Sequence, residues 1–393
     1  MAVSASGPAG RRRIAVVTGS RADYGLLRET LKHLKAADDV ELHIVVCGMH
    51  LSERFGATWR EVEADNFAPL TKVDLDIGED SAVAVTRSTG RGVIGFAEAL
   101  PQIAPDIVVL LGDRYEILAA GVACTLLNIP VAHIHGGEIT TGAFDDAIRH
   151  ALTKMACLHF VAAEPYRRRV IQMGEQPDFV FNVGAPGLDQ AGLAVDSDRD
   201  GIARELGVSG PYLLVTLHPT TARPEADAPT VAAMLTALAR FDGQSIVFTG
   251  VNADPGNSVI DAAIRAFVDA HPDRSRLFTS LGSARYWRAL HHATAVVGNS
   301  SSGILEAPAA GTPSVNIGER QNGRLRAASI IDCAGETEAI ERAIRSIVDG
   351  TFRPDMTAEP PYGRGGASAR IARLLREVDI ARAFPKHFYD LAP

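Results

Sequence analysis

Nothing in this sequence is long and apolar enough to cross a bilayer, since no hydrophobic run approaches the roughly 20 residues a spanning helix needs. A short polar tail, MAVSASGPAGRRR, opens the chain. The apolar segment after it, IAVVTGS, is too short for a signal sequence and reads as a first strand. Cysteine is scarce: Cys47, Cys124, Cys157 and Cys333 have no CxxC spacing and sit in mostly apolar surroundings. That excludes a disulfide frame or a cysteine zinc site and predicts reduced, buried thiols in a cytoplasmic protein. Excess positive charge is also absent. A net charge of −8 gives no reason to expect nucleic acid as a partner, and the runs Arg11–Arg13 and Arg167–Arg169 read as solvated faces. Three motifs are missing as well: the dinucleotide fingerprint GxGxxG, a Walker lysine, and a metal-spaced group such as HExxH. Neither NAD nor a metal ion is therefore expected, and no cofactor is assigned. No internal repeat appears.

What is present is a globular chain of 393 residues, 46% hydrophobic, with material for about two domains. Short runs rich in Val, Ile and Leu alternate with helix-length amphipathic segments. The runs are RIAVVTG, ELHIVVCG, DIVVLLGD, IPVAHIHGG, LHFVAA and DFVFNVGAP, then PYLLVTLHP, QSIVFTG, RLFTS, TAVVGNSSSG and TPSVNIG. Continuous apolar runs separated by helices predict parallel strands buried on both faces, an α/β doubly wound architecture. Gly and Pro accumulate over residues 182–194, so the boundary is placed there: one Rossmann-like domain over 1–185, a second over 186–368, and a C-terminal helix over 369–393 packing back on the first. Ligands of such sheets bind outside the carboxyl ends of the strands, and two facing units form an interdomain cleft.

Chemistry-bearing residues collect at those strand ends. In GSRADYG, Arg21 and the start of a helix suit a phosphate, while Asp23 as helix cap with Arg21 exposed is the plainer reading. In LGDRYE, Asp113 can serve as general acid or base or as a helix cap, and Arg114 as a diphosphate contact. In HIHGGEITTGAFDDAIRH, His133 and His135 alternate with Ile134 and are expected to share one face of the strand. His133, deeper in the strand, reads as a satisfied core histidine. His135 and Glu138 are the better candidates for chemistry, and of Asp145 and Asp146 one is expected to cap the helix that follows. HxH with nearby acids also allows a metal hydrolase with Asp113 as bridging ligand. His218 directly follows a strand in VTLHP, and its near-neutral side chain suits proton transfer. The run VVGNSSSGILEAP sets Ser300, Ser301 and Ser302 before a helix carrying Glu306, an arrangement suited to a diphosphate and a ribose diol. Arg320 and Arg324 follow in GERQNGR.

Taken in order over nearly the whole chain, GSRADYG, LGDRYE, HIHGGE, DDAIRHALTKM, the LHP histidine, VGNSSSGILEAP, GERQNGR and the closing KHFYDL resemble one family. It is the hydrolysing UDP-N-acetylglucosamine 2-epimerases of sialic-acid and related nonulosonic-acid biosynthesis. The resemblance implies a GT-B-like fold of two Rossmann-like domains facing an interdomain cleft, a UDP-sugar substrate and a homodimer or homotetramer. It implies that Arg21, Arg114, Asn252, Ser300, Ser301, Glu306 and Arg320 hold the UDP part. Asp113, Glu138, Asp145 and His218 would line the reaction centre. Members that make N-acetylmannosamine often read HIEGGE; here His135 stands at the first Glu, a form similar to relatives acting on sialic-acid or legionaminic-acid precursors. His135 therefore joins the candidate proton-transfer groups. The implied reaction converts UDP-N-acetylglucosamine to N-acetylmannosamine plus UDP through a 2-acetamidoglycal. The 2,4-diacetamido-6-deoxy analogue is the alternative sugar, and a GT-B glycosyltransferase the alternative activity.

Overall fold

The computed structural model describes residues 10–67, 69–78, 81–139, 145–194, 197–220, 227–250 and 257–391. The chain divides into two compact units. One comprises residues up to Asp189 together with those from Gly366 onward; the other is Gln190–Gly365. Among the described residues no helix is long and apolar enough to cross a membrane.

The first unit is built on β1 (Arg12–Thr18), β2 (Val40–Cys47), β3 (Leu70–Val73), β4 (Ile107–Leu111), β5 (Val131–Ile134), β6 (Leu158–Val161) and β7 (Val180–Asn182). They form a seven-stranded sheet in the order β3-β2-β1-β4-β5-β6-β7. Every pairing is parallel; Ile14 sits beside Ile107 and Leu42, for example. Side chains alternate along β1. Ile14 and Val16 enter one core, with Leu27 and Leu31, while Ala15 and Val17 enter the other, with Phe96 and Leu100. Helices therefore cover both faces, which is why these strands read as unbroken apolar runs.

The C-terminal helix Ala367–Glu377 belongs to this unit and packs against the helix Arg21–Lys35. Its Ile371 and Leu375 are fully buried, worth about 1.5–3 kcal/mol each. Asp189 caps it, the two carboxylate oxygens accepting from the Ala367 and Ser368 N–H groups at 2.7 and 2.6 Å. That satisfies two orphan donors of the helix start.

The second unit holds β8 (Tyr212–Thr216), β9 (Ser245–Thr249), β10 (Ser275–Phe278), β11 (Ala295–Gly298), β12 (Ser314–Ile317) and β13 (Ile330–Cys333). Its six-stranded parallel sheet has the order β10-β9-β8-β11-β12-β13. Gly298 is required here. Its φ is 139°, and a Cβ would lie 1.9 Å from the Thr216 carbonyl oxygen. In both sheets the winding reverses beside the first strand, between β1 and β4 and between β8 and β11. At such a point successive loops leave in opposite directions and open a crevice at the strands' carboxyl ends.

Candidate active site

At the first unit's reversal point, β4 is followed by Gly112, which takes φ +80° and turns the chain toward the helix Tyr115–Leu126. Asp113 does not cap that helix. Arg114 occupies the cap position without a side-chain capping bond, and the Asp113 carboxylate instead accepts from the Arg149 guanidinium. Arg149 is 6% exposed and also reaches Asp146, at 3.4 Å. It rises from the helix Asp145–Met155. Asp145 and Asp146 both lie inside that helix's first turn, where the dipole favours carboxylates, so neither is the cap that the sequence led us to expect. Burial raises the Asp145 carboxyl above the ordinary range and the neighbouring Asp113 charge raises it further, while Arg114 and Arg149 oppose both.

His133 and His135 do not share a strand face. β5 ends at Ile134, and His135 takes the left-handed conformation at φ +67°, which breaks the alternation. Its N–H still donates to the Phe160 carbonyl at 3.0 Å, so sheet pairing holds the turn in place. The His135 Nδ1–H donates to Glu138 Oε1 at 2.7 Å. That hydrogen bond places the neutral ring's proton on Nδ1. Gly137 follows at φ +80°, where a Cβ would meet the Tyr166 carbonyl oxygen at 2.6 Å. His133 is completely buried. Its Nε2–H donates to the Gly112 carbonyl at 2.7 Å and its Nδ1 faces the Thr153 hydroxyl at 3.2 Å. Burial pushes its pKa down to about 3, so it stays neutral, a core histidine as its place in the strand indicated.

After β1, Ser20 rather than Asp23 caps the helix Arg21–Lys35, accepting from the Asp23 N–H at 3.3 Å. Asp23 turns back to the Gly19 N–H, and burial raises its pKa against the pull of Arg114. Arg21 is exposed and pairs with Glu61 at 3.2 Å. Arg114 is engaged in a fork with the fully buried Glu116 at 2.8 and 3.2 Å.

In the second unit, His218 lies two residues beyond β8 and is buried. The serine run follows β11. Ser301 stands at the cap position of the helix Ser302–Ala309 but makes no side-chain capping bond. The Ser300 hydroxyl accepts from the Ser302 N–H at 3.3 Å, and the Ser302 hydroxyl is bonded to Tyr286. Glu306 is raised by burial, with the Ser302 hydroxyl opposing. Arg320 donates to the Asn299 carbonyl at 3.2 Å, and Arg324 is exposed. Asn252 lies outside the described residues. Among the described residues no group of three or more His, Cys, Asp or Glu is placed to hold a metal ion. All four cysteines are free.

The structure thus brings Asp113, Arg114 and Asp145 within electrostatic reach of one another and sets the His135–Glu138 pair at the adjoining strand end. Three partners escaped the sequence reading: Arg149, Glu116 and Tyr286. Arg149 carried a signal, being four residues after Asp145 and so on the same helix face.

Two Rossmann-like parallel units, each with acids or serines at its reversal point, define a nucleotide-sugar enzyme of the kind built on GT-B-like folds. The chain belongs to the UDP-N-acetylglucosamine 2-epimerase family, whose model matches residues 32–376. One relative, from Campylobacter jejuni, is described as a GDP/UDP-N,N'-diacetylbacillosamine 2-epimerase (hydrolyzing); it is 34% identical over 97% of this chain and 100% of its own. Another, from Legionella pneumophila, is described as a UDP-N,N'-diacetylbacillosamine 2-epimerase (hydrolyzing) and is 36% identical over 94% of this chain and 97% of its own. The solved structure of a UDP-GlcNAc 2-epimerase from Neisseria meningitidis, bound to UDP-GlcNAc, matches with a TM-score of 0.77 over 93% of this chain and 100% of that one. At 16% identity that likeness speaks for the fold alone.

Proposed function

We propose that this chain is a hydrolysing UDP-sugar 2-epimerase that releases UDP and the free 2-epimer of a 2-acetamido sugar. The C2 proton of such a sugar has no adjacent ketone to acidify it. Departure of UDP with the electrons of the C1–O bond makes C1 oxocarbenium-like, and the C2 proton becomes acidic enough for a carboxylate or imidazole. Its loss gives a 2-acetamidoglycal. Water then adds hydroxyl to C1 while C2 takes a proton on the other face. The balance is one UDP-sugar and one water consumed, one UDP and one free sugar formed.

The observation that carries this reading is the collection of acids around Arg149. Asp113 accepts from a buried guanidinium, and Asp145 is raised toward a usable base by burial and by Asp113. Glu138 orients His135, the second candidate base on that strand end. His218 is assigned the partner proton transfer. Negative charge develops on the departing diphosphate, and we assign its stabilisation to Ser300, Ser301, Arg320, Arg21 and Arg114, with Glu306 accepting from the ribose. Arg114 is already bonded to Glu116, so it meets the diphosphate through its remaining N–H groups or by exchanging that partner.

For the sugar we favour a UDP-2,4-diacetamido-2,4,6-trideoxyhexose, supported by the descriptions of the Campylobacter jejuni and Legionella pneumophila relatives, which match nearly end to end. UDP-N-acetylglucosamine is the second reading, supported by the family's description. Either free sugar suits a nonulosonic-acid route, sialic-type or legionaminic, and we assign the enzyme to the cytoplasm as a homodimer or homotetramer. The test is NMR of the purified protein with each UDP-sugar in turn. Free UDP and a released 2-epimer are expected from the true substrate. An epimerised sugar still joined to UDP would overturn the hydrolysing assignment.

A further inference from the structure

We propose that Asn299 is a positioning residue that couples the serine loop to His218; this rests on reading His218 as a proton-transfer group. The ladder between β8 and β11 ends at the pair Thr216 and Gly298. Asn299 continues it with two different groups. Its backbone N–H donates to the Thr216 carbonyl at 3.2 Å. Its side chain then acts as one more strand residue opposite His218: Oδ1 accepts from the His218 N–H at 2.7 Å, and Nδ2 donates to the His218 carbonyl at 2.8 Å. Asn299 is 4% exposed and His218 is 8% exposed, so both bonds are shielded from water.

Only a primary amide can do this. The N–H needs an acceptor and the carbonyl a donor at the same moment; ionised Asp or Leu lacks one or both, and Ser offers them only on a single oxygen. The other side of His218 is fixed too. Pro219 restricts the histidine's own backbone, and the Thr220 N–H donates to both carboxylate oxygens of Asp227 at 3.0 and 3.1 Å. The Asn299 carbonyl meanwhile accepts from Gln321 Nε2 at 2.9 Å and from Arg320. The residue thus stands where three segments meet: the His218 turn, the serine run that begins at the next residue, and the Arg320 loop. Helix capping does not account for it, because the helix begins at Ser302 and its cap position is Ser301. Whatever a diphosphate does to the serine loop is passed through this amide to the backbone of His218.

The test is a double-mutant cycle with His218. His218→Ala alone must slow turnover; if it does not, the role given to His218 fails, whatever Asn299 does. Asn299→Ala is expected to lower kcat on the order of a hundred-fold, the scale of a misplaced catalytic group. UDP affinity, measured by calorimetry, should change by less than about three-fold because the backbone carbonyl that holds Arg320 is retained. In the double variant the Asn299 change should cost almost nothing further. Asn299→Asp keeps the shape but sets a carboxylate oxygen against the His218 carbonyl in place of the donor; it should show the same non-additivity, which gives the test a second variant if the alanine one does not fold. Full additivity in either variant, or an unchanged kcat in a folded variant, overturns the proposal.

Discussion

Replacing Lys386 by Met removes the clamp that ties the chain's last segment to the helix carrying Asp145 and Arg149. The Lys386 ammonium donates to both oxygens of Glu175, at 2.9 and 2.8 Å, and to the Lys154 and Ala156 carbonyls at the end of that helix. Glu175 is 2% exposed, and burial alone would raise its carboxyl; His159, Lys154 and Lys386 together hold it below the ordinary range. His159 is itself pushed down by burial, so at neutral pH it helps as a hydrogen-bond donor. Losing the lysine forfeits a charge-assisted bond worth about 1.5–3 kcal/mol. It also uncaps a helix end worth about 0.3–1 kcal/mol. Glu175 keeps Lys154 and His159, so the total should be about 2–4 kcal/mol. The assay is urea unfolding of K386M in a Trp287→Phe background, where Trp59 remains as the single tryptophan and reports on the first unit. A lowered carboxyl contributes stability above its unfolded pKa and loses it as pH falls through the folded value. The gap between parent and variant should therefore be widest at neutral pH and close in acid. A gap below about 0.5 kcal/mol at pH 7, under the smallest bond removed, or one unchanged at pH 3, would refute the reasoning.

Asp113→Asn and Glu138→Gln should each abolish turnover while leaving UDP affinity largely intact, checked by coupled UDP release and calorimetry. If Asp145 is the base, kcat falls on the acid side at a pH above the ordinary carboxylate range. The raised Asp145 carboxyl must lose its proton to work, so Arg149→Met, which removes a lowering charge, should move that limb to higher pH; identical limbs in parent and variant would remove Asp145 from the role. Ser301→Ala deletes a hydroxyl that caps nothing, so UDP should bind about ten-fold more weakly, equivalent to about 1.4 kcal/mol, with no change in melting temperature.

Much of the fold was legible because strands buried on both faces leave continuous apolar runs, and every run read as a strand forms one. The missed strands, β3 and β13, are edge strands with a single neighbour each, partly exposed and without that signature. Strand-end chemistry was legible as residue types but not as pairings. Asp113 could be read as a cap because Asp after a strand often is one, and only the fold reveals Arg149 opposite it. The alternation rule misplaced His135, since a positive φ cannot be read from a histidine flanked by apolar residue and glycine. Asp23 could be read as the cap after β1, yet it is Ser20 that makes the capping bond. KHFYDL carried no chemistry as a string; its meaning is Lys386 seated on Glu175.

The central claim is that loss of UDP is what makes C2 labile. Turnover of the UDP-sugar in deuterium oxide, read by proton NMR and mass spectrometry of the released sugar, tests it most directly. The account predicts one deuterium at C2 of the inverted free sugar, with UDP liberated in equal amount. Inverted sugar carrying protium at C2 would contradict it.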